Sequence, residues 1–244
     1  MFSPLRWQRM NSEQPEFVET PPSAIEDRQV ERVIIDRFQF DIERPADTYS
    51  LLDDPVVLDA HKRDEYMPYW ADLWPASRML AKAVAKEDWS KYPRTGDKLE
   101  CLELGCGLGV PGLTALACGL RVTFTDYDVA AVKFAANNAR RNKLFDFKAI
   151  PLDWRFPPAD LRVPVILCAD LTYETRNIDP LVKLIKQVLV PGGICLLTDQ
   201  DRTPAPLLRE QLGYASLHYD QVIARAGEPG GFRITGSLYR IRHR

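Results

Sequence analysis

One segment constrains this chain more than any other: Leu102-Glu103-Leu104-Gly105-Cys106-Gly107-Leu108-Gly109-Val110-Pro111-Gly112. It runs from the end of an apolar strand pattern into the start of a helix. Glycines at alternate positions let the backbone turn sharply and come close to a ligand, and Pro111 suits a first helical turn. The free N–H groups of that turn favour a carboxylate or a phosphate. The segment therefore predicts a strand–turn–helix unit built around a nucleotide-like ligand. Spacing alone does not choose the ligand, because Gly107, Gly109 and Gly112 also satisfy the dinucleotide pattern G-x-G-x-x-G, with Asp126 downstream to meet a ribose. An S-adenosyl cofactor, a dinucleotide and a purely structural turn all stay open here.

Around this segment, helix and strand patterns alternate as a parallel sheet requires. The periodicity predicts a helix over 71–87, a strand over 99–104, a helix over 111–118, a strand over 121–126 and a helix over 129–142. Strands follow at 146–150 and 164–169, then a helix over 178–189 and a strand over 193–199. Beyond a helix at 204–212, two strand-like segments, 214–224 and 232–241, flank Gly227-Glu228-Pro229-Gly230-Gly231, a turn signal for an antiparallel pair. The fold class expected is α/β, a mostly parallel sheet with an antiparallel C-terminal hairpin and helices on both faces. Upstream, residues 1–30 are polar and rich in Pro and Glu, and are expected to be mobile. Partial alternation from Val33 to Ile42 predicts a strand that forms a hairpin with residues 55–58. The division expected is a mobile segment 1–30, an extension 31–65 with a β-hairpin, and one domain 66–244 that carries the chemistry.

Composition narrows the function classes. A formal charge of −2 gives no overall pull toward nucleic acid or anionic lipid. The basic cluster Arg140, Arg141 and Lys143 reads as complementation of a helix end, and Arg240, Arg242 and Arg244 as protection of a terminal strand. Nucleic acid is therefore disfavoured as a partner. The five cysteines lack metal-ligand spacing, so no metal is expected and a reduced, cytoplasmic setting is the default. No apolar run has the length of a membrane span.

Three further positions bear on the ligand. Leu152-Asp153-Trp154 follows the third strand, where a carboxylate can accept from an adenine amine and an indole can cover the ring. A buried Trp beside a solvated Asp explains the same residues equally well. Asp170-Leu171-Thr172-Tyr173 ends the fourth strand, at the edge where open α/β sheets bind ligands. The aromatic stretch Tyr69-Trp70-Ala71-Asp72-Leu73-Trp74-Pro75 precedes a helix, with core packing accounting for at least one ring.

Taken in order, Tyr69-Trp70 with Trp74-Pro75, Glu103-Leu104-Gly105 with Gly107 and Gly109, Thr125-Asp126-Tyr127-Asp128, Leu152-Asp153-Trp154 and Asp170-Leu171-Thr172-Tyr173 resemble the protein-lysine methyltransferases called methyltransferase family 16. The similarity covers roughly residues 66–200. The resemblance implies a Rossmann-like seven-strand sheet, S-adenosyl-L-methionine as methyl donor and a protein lysine as acceptor, with a small molecule as the alternative. It places Glu103, Gly105, Gly107 and Gly109 at the methionine end, Asp126 at the ribose, Asp153 and Trp154 beside the adenine, and Trp74 near the cofactor. Asp170 and Tyr173 match the family's Asp-x-x-Tyr motif at the acceptor.

Lysine titrates near pKa 10.4 and must lose its proton to act as a nucleophile. A neighbouring carboxylate opposes that loss. Asp170 is thus expected to orient the acceptor rather than act as a general base, with Tyr173 bonding the acceptor nitrogen and Trp70 offering its π face to a cation. An NAD-dependent oxidoreductase is disfavoured, because an aromatic segment and a helix precede the glycine-rich strand and Leu152-Asp153-Trp154 has no part in that scheme. A non-catalytic binding module of the same fold is the remaining alternative.

Overall fold

The computed structural model describes residues 17–21, 25–94, 96–227 and 231–244. Two strands, β1 (Arg28–Ile35) and β2 (Phe38–Pro45), precede helix α1 (Pro55–Asp64) and helix α2 (Pro75–Lys86). The alternating region then gives β3 (Glu100–Leu104), α3 (Val110–Ala117), β4 (Arg121–Asp126), α4 (Val129–Arg141), β5 (Phe147–Pro151), β6 (Val163–Ala169), α5 (Thr175–Val188) and β7 (Leu189–Asp199). Helix α6 (Ala205–Tyr214) and the strands β8 (Leu217–Ala226) and β9 (Ile234–His243) complete it.

Strands β3 to β9 form one sheet in the order β5-β4-β3-β6-β7-β9-β8. The first five pair in parallel, and β9 runs antiparallel to both β7 and β8. The sequence runs that read as continuously apolar do so because these strands are covered on both faces. Cys101, Val165, Leu167, Ile194 and Leu196 join the core with residues of α2, α3 and α4, while Leu102, Ile166, Cys168, Cys195 and Leu197 join the core with α5 and α6. The expected fold, a Rossmann-like mostly parallel sheet with an antiparallel C-terminal hairpin, is the one present. The turn residues 228–230 of that hairpin lie outside the described residues.

Strand order reverses at β3, whose neighbours are β4 on one side and β6 on the other. In open α/β sheets, the crevice outside the strand carboxyl ends at such a point is where ligands bind.

The N-terminal expectations need correction. Residues 33–42 are not one strand, and residues 55–58 are not its partner. The hairpin is β1 with β2, in register from Arg28↔Pro45 to Ile35↔Phe38, and closes through Asp36 and Arg37. Asp36 takes the left-handed conformation at φ 52°. That turn carries no Gly or Asn, so the usual hairpin signal is missing from the sequence. Residues 55–58 open α1, with Pro55 in its first turn and the Asp54 carboxylate accepting from the Val56 N–H. The expected helix at 71–87 begins only at Pro75, after a 3₁₀ turn over Tyr69–Ala71.

Parts of the stretch expected to be mobile are ordered. Val18 and Thr20 are buried, and Val18 bridges to Asp128. Residues 1–16 and 22–24 lie outside the described residues. The hairpin is fastened to α4 by two asparagines one turn apart. Asn142 accepts from Asp41 N–H at 2.9 Å and Asn138 from Glu43 N–H at 2.7 Å, while their amide NH₂ groups donate to the carbonyls of the same residues at 3.0 and 3.1 Å. The side-chain amides take the place of a neighbouring strand along β2.

Candidate active site

A cleft of about 630 Å³ opens at the sheet's carboxyl edge beside β3 and β6. Its floor is the turn after β3. Gly107 sits at φ 49°, where L side chains are strained, and a Cβ there would lie 3.1 Å from the Trp70 carbonyl. Its N–H donates to Asp126 Oδ2 at 2.9 Å, which ties the turn to the end of β4. At Gly112 a Cβ would collide with Glu103 Oε2 and the Phe124 ring, so the first turn of α3 is pressed directly onto the buried carboxylate.

Glu103 is 2% exposed, and its Oε2 has no hydrogen-bond partner among the described residues. Burial holds this carboxyl well above the usual range, against the Gly112 N–H that pulls the other way. A buried carboxylate oxygen without a donor is costly, and its raised pKa reflects that cost. Burial also pushes Asp126 up to about 6, although the N–H groups of Gly107 and Asp128 favour its charged form. Part of Asp126 still faces the cleft.

Behind Asp126 lies a node that sequence reasoning passed over. Asp128 is fully buried and caps α4 through the Ala130 N–H at 2.6 Å. It also accepts from Thr20 Oγ1 at 2.6 Å, Tyr66 Oη at 2.5 Å and Trp70 Nε1 at 3.0 Å. Trp70 is thereby turned from the role expected of it. Its indole points to Asp128 and packs on Phe134, with ring centroids 5.3 Å apart, so its π face does not serve an incoming cation.

Beyond β5, Asp153 is 5% exposed and gripped by Arg155, whose Nε lies 2.9 Å from both oxygens and whose Nη2 lies 2.7 Å from Oδ2. The Arg155 N–H adds a bond to Oδ1 at 2.9 Å. Nη2 reaches Asp64 as well, at 2.8 Å, and so joins the base of the cleft to the wall that follows α1.

At the other end stand Asp170, Tyr173, Tyr69 and Trp74. The Tyr69 ring meets Tyr173 edge-on at 5.3 Å and Trp74 at 5.8 Å. Burial drives the Tyr173 hydroxyl well above the usual phenol range, so it remains a neutral hydrogen-bonding group at pH 7. Asp170 accepts from Arg202 Nη2 at 2.8 Å and Gln200 Nε2 at 2.6 Å on one oxygen, and from Arg202 Nε at 3.2 Å on the other.

Of the residues singled out in the sequence, Trp74, Glu103, Gly105, Gly107, Asp126, Asp153, Trp154, Asp170 and Tyr173 all line this cleft. Gly109 is not among the lining residues. It is the N-cap of α3 at φ 82°, and a Cβ there would press on Ala135 and Leu113 in the core. Its glycine is required by the helix entry. Sequence reasoning missed Tyr66, Arg155, Gln200 and Arg202. The last two directly follow β7, and the carboxyl-edge rule applied to that strand points to them.

The cleft thus combines an unsatisfied buried carboxylate, a second carboxylate at the end of β4, an indole and a wall of three further rings. Sequence comparison identifies the family. The profile of the lysine methyltransferase family matches residues 60–208, and the chain belongs to that family. Among its relatives, a ribosomal protein L11 methyltransferase from Thermus thermophilus is 30% identical over 179 residues, covering 72% of this chain and 63% of the relative. A histidine protein methyltransferase 1 homolog from Dictyostelium discoideum is 31% identical over 137 residues, covering 52% of this chain and 42% of the relative. The chain thus spans less than two thirds of either. In fold it is similar to the N-methyltransferase NodS from Bradyrhizobium japonicum in complex with S-adenosyl-L-homocysteine, with TM-score 0.56 at 17% identity over 76% of this chain and 97% of that one.

Proposed function

We propose that this chain transfers a methyl group from S-adenosyl-L-methionine to a nitrogen on a protein side chain, with lysine as the acceptor. The observation that carries the reading is that Glu103, behind the turn after β3, and Asp126, at the end of β4, line the same cleft. A ligand that satisfies both must bring an ammonium to one and hydroxyl donors to the other. An amino acid joined to a nucleoside has that pair of groups. A dinucleotide would instead bring its pyrophosphate to the start of α3, against the Glu103 carboxylate.

Glu103, Gly105 and Gly107 would hold the amino-acid end, Asp126 the ribose, and Trp154 with Asp153 the base. When bound, the cofactor supplies a methyl group on a sulfonium, an electrophile that needs an aligned nucleophile and little else. This chain's residues then have three tasks. Tyr69, Trp74 and Tyr173 exclude water from the acceptor end. Asp170 and Tyr173 orient the acceptor nitrogen, Tyr173 as a neutral hydroxyl. The enclosure lowers the proton affinity of an amine that enters it. Lysine is supported by the family to which the chain belongs, and protein acceptors by the names of both relatives. We also place the protein in the cytoplasm, a setting supported by its five free cysteines. No described helix is long and apolar enough to cross a membrane.

Calorimetric titration with S-adenosylmethionine, S-adenosylhomocysteine and NAD(H) tests the cofactor. The first two are expected to bind, and Asp126→Ala to weaken both by about tenfold or more, the effect of losing hydrogen bonds to a charged acceptor. Binding of NAD(H) alone would return the oxidoreductase reading. With labelled methyl donor and lysate protein, wild-type protein is expected to yield methyl-lysine on hydrolysis. Asp170→Ala is expected to abolish that product while retaining cofactor affinity.

A further inference from the structure

Asp170 is the one carboxylate at the acceptor end that the Asp-x-x-Tyr motif supplies, yet Arg202 already engages it. Its backbone is in the left-handed region at φ 56°, and its N–H donates to the Thr198 carbonyl at 2.8 Å, so the side chain leaves the junction of β6 and β7 in a fixed direction. The carboxylate is 7% exposed. Arg202 meets it side-on with Nε and Nη2, the paired geometry in which a guanidinium binds a carboxylate most specifically.

Arg202 is itself fixed at three points. Its N–H donates at 3.0 Å to Asp199, which is fully buried and also holds the Thr172 hydroxyl. Its guanidinium lies 5.8 Å from the Trp74 ring centroid while paired with Asp170, and Arg202 lines the cleft. An arginine with only a structural task has no need to form part of the cleft wall.

We propose that Arg202 is a positioning residue of the methyl transfer, whose permanent positive charge cancels that of Asp170 so that the acceptor end offers carboxylate oxygens without a net anion. This inference rests on the proposed transfer to an amine. An unpaired carboxylate beside a lysine stabilises the ammonium, which has no lone pair to give. A carboxylate neutralised by a guanidinium keeps its oxygens for orientation and removes most of that penalty, and the guanidinium does not titrate in the working range. Gln200 completes the arrangement by bonding Oδ2 without adding charge. The other groups around the pair are Asp199 from β7, Tyr69 from the segment before α2, and Tyr173 and Glu174 from the loop that carries Asp170, with Asp126 across the cleft. Glu174 is itself paired with Arg176 at 2.5 Å, which also meets Glu65 at 3.3 Å and Asp64 at 3.5 Å, so one guanidinium is shared among three carboxylates at the rim, a charge that both Arg202 variants leave unchanged.

The test is the pH dependence of single-turnover methyl incorporation from labelled S-adenosylmethionine into lysate protein, read as methyl-lysine, for the wild type, Arg202→Gln and Arg202→Lys. Arg202→Gln removes the charge and keeps a donor. Its half-maximal pH is expected to rise by about one unit, the size of shift that one nearby charge produces, while S-adenosylhomocysteine affinity stays within about twofold, since the pair lies away from the nucleoside end. Arg202→Lys keeps the charge and loses the paired geometry. It is expected to turn over more slowly with the wild-type midpoint. An unmoved midpoint in Arg202→Gln overturns the proposal, and so does a raised midpoint in Arg202→Lys, each independently of how the other variant folds. If the wild type itself yields no methyl-lysine, the proposed function fails and this inference fails with it. If the wild type is active and only the midpoints disagree, the role of Arg202 alone falls.

Discussion

At the scale of single residues, Asp126 responds oppositely to pH in the empty and the occupied protein. Asp126 titrates at about 6 in the folded chain, above its ordinary value, because burial disfavours its charge. A group raised in this way stabilises the fold below its unfolded pKa, and that contribution is lost as pH rises through 6. Ligand hydroxyls, in contrast, need the ionised form to accept from. Affinity for S-adenosylhomocysteine is therefore expected to be full above about pH 7 and to fall by up to about tenfold per unit below 6, as for one coupled proton. Calorimetry between pH 5 and 8 reads it, and a flat profile would remove Asp126 from the binding face. The glycines and carboxylates of this site were legible in the sequence because each sits in a short motif whose local geometry fixes its role. Gly109 was legible as a special backbone position but not as one that turns inward. Only the packing of Ala135 against it settles that.

At the scale of elements, the strands and helices after β3 follow their expected ranges closely, β4 over 121–126 without displacement. Apolar runs bounded by Gly and Pro carry that information locally. The N-terminal hairpin was misread because its turn has no sequence signal and its register depends on α4, some hundred positions away. The pairings that close the cleft were beyond reach for the same reason, since nothing local tells Arg155 that Asp64 will stand beside Asp153. That bridge has a measurable consequence. Arg155→Ala would leave two carboxylates facing across the space one guanidinium had filled, and the wall after α1 would lose its tie. S-adenosylhomocysteine is expected to dissociate about fivefold faster, in keeping with a partly exposed ion pair worth about 1 kcal/mol. Stopped-flow displacement measures it, and Asp64→Asn should give a similar change without adding to the first.

For the molecule as a whole, Asp128 is where the N-terminal segment, the wall of the cleft and helix α4 meet. Its carboxylate holds Thr20, Tyr66, Trp70 and the first turn of α4 at once. Asp128→Ala would strand several buried donors, each costing about 1–3 kcal/mol when left unsatisfied. A loss of about 3 kcal/mol or more in urea unfolding is expected, together with weakened cofactor binding, because Tyr66 and Trp70, which line the cleft, lose the acceptor that holds them. Unchanged stability would mean that water replaces the carboxylate at no cost. The asparagine ladder on α4 carries a different message about this architecture. An amide of a short two-stranded hairpin ordinarily exchanges its hydrogen with solvent whenever the strands fray. The N–H groups of Asp41 and Glu43 are bonded instead to side chains of a helix packed in the main core. In a deuterium-exchange experiment these two amides should keep time with α4 rather than with their neighbours in the hairpin, and Asn138→Ala should release Glu43 to the faster clock.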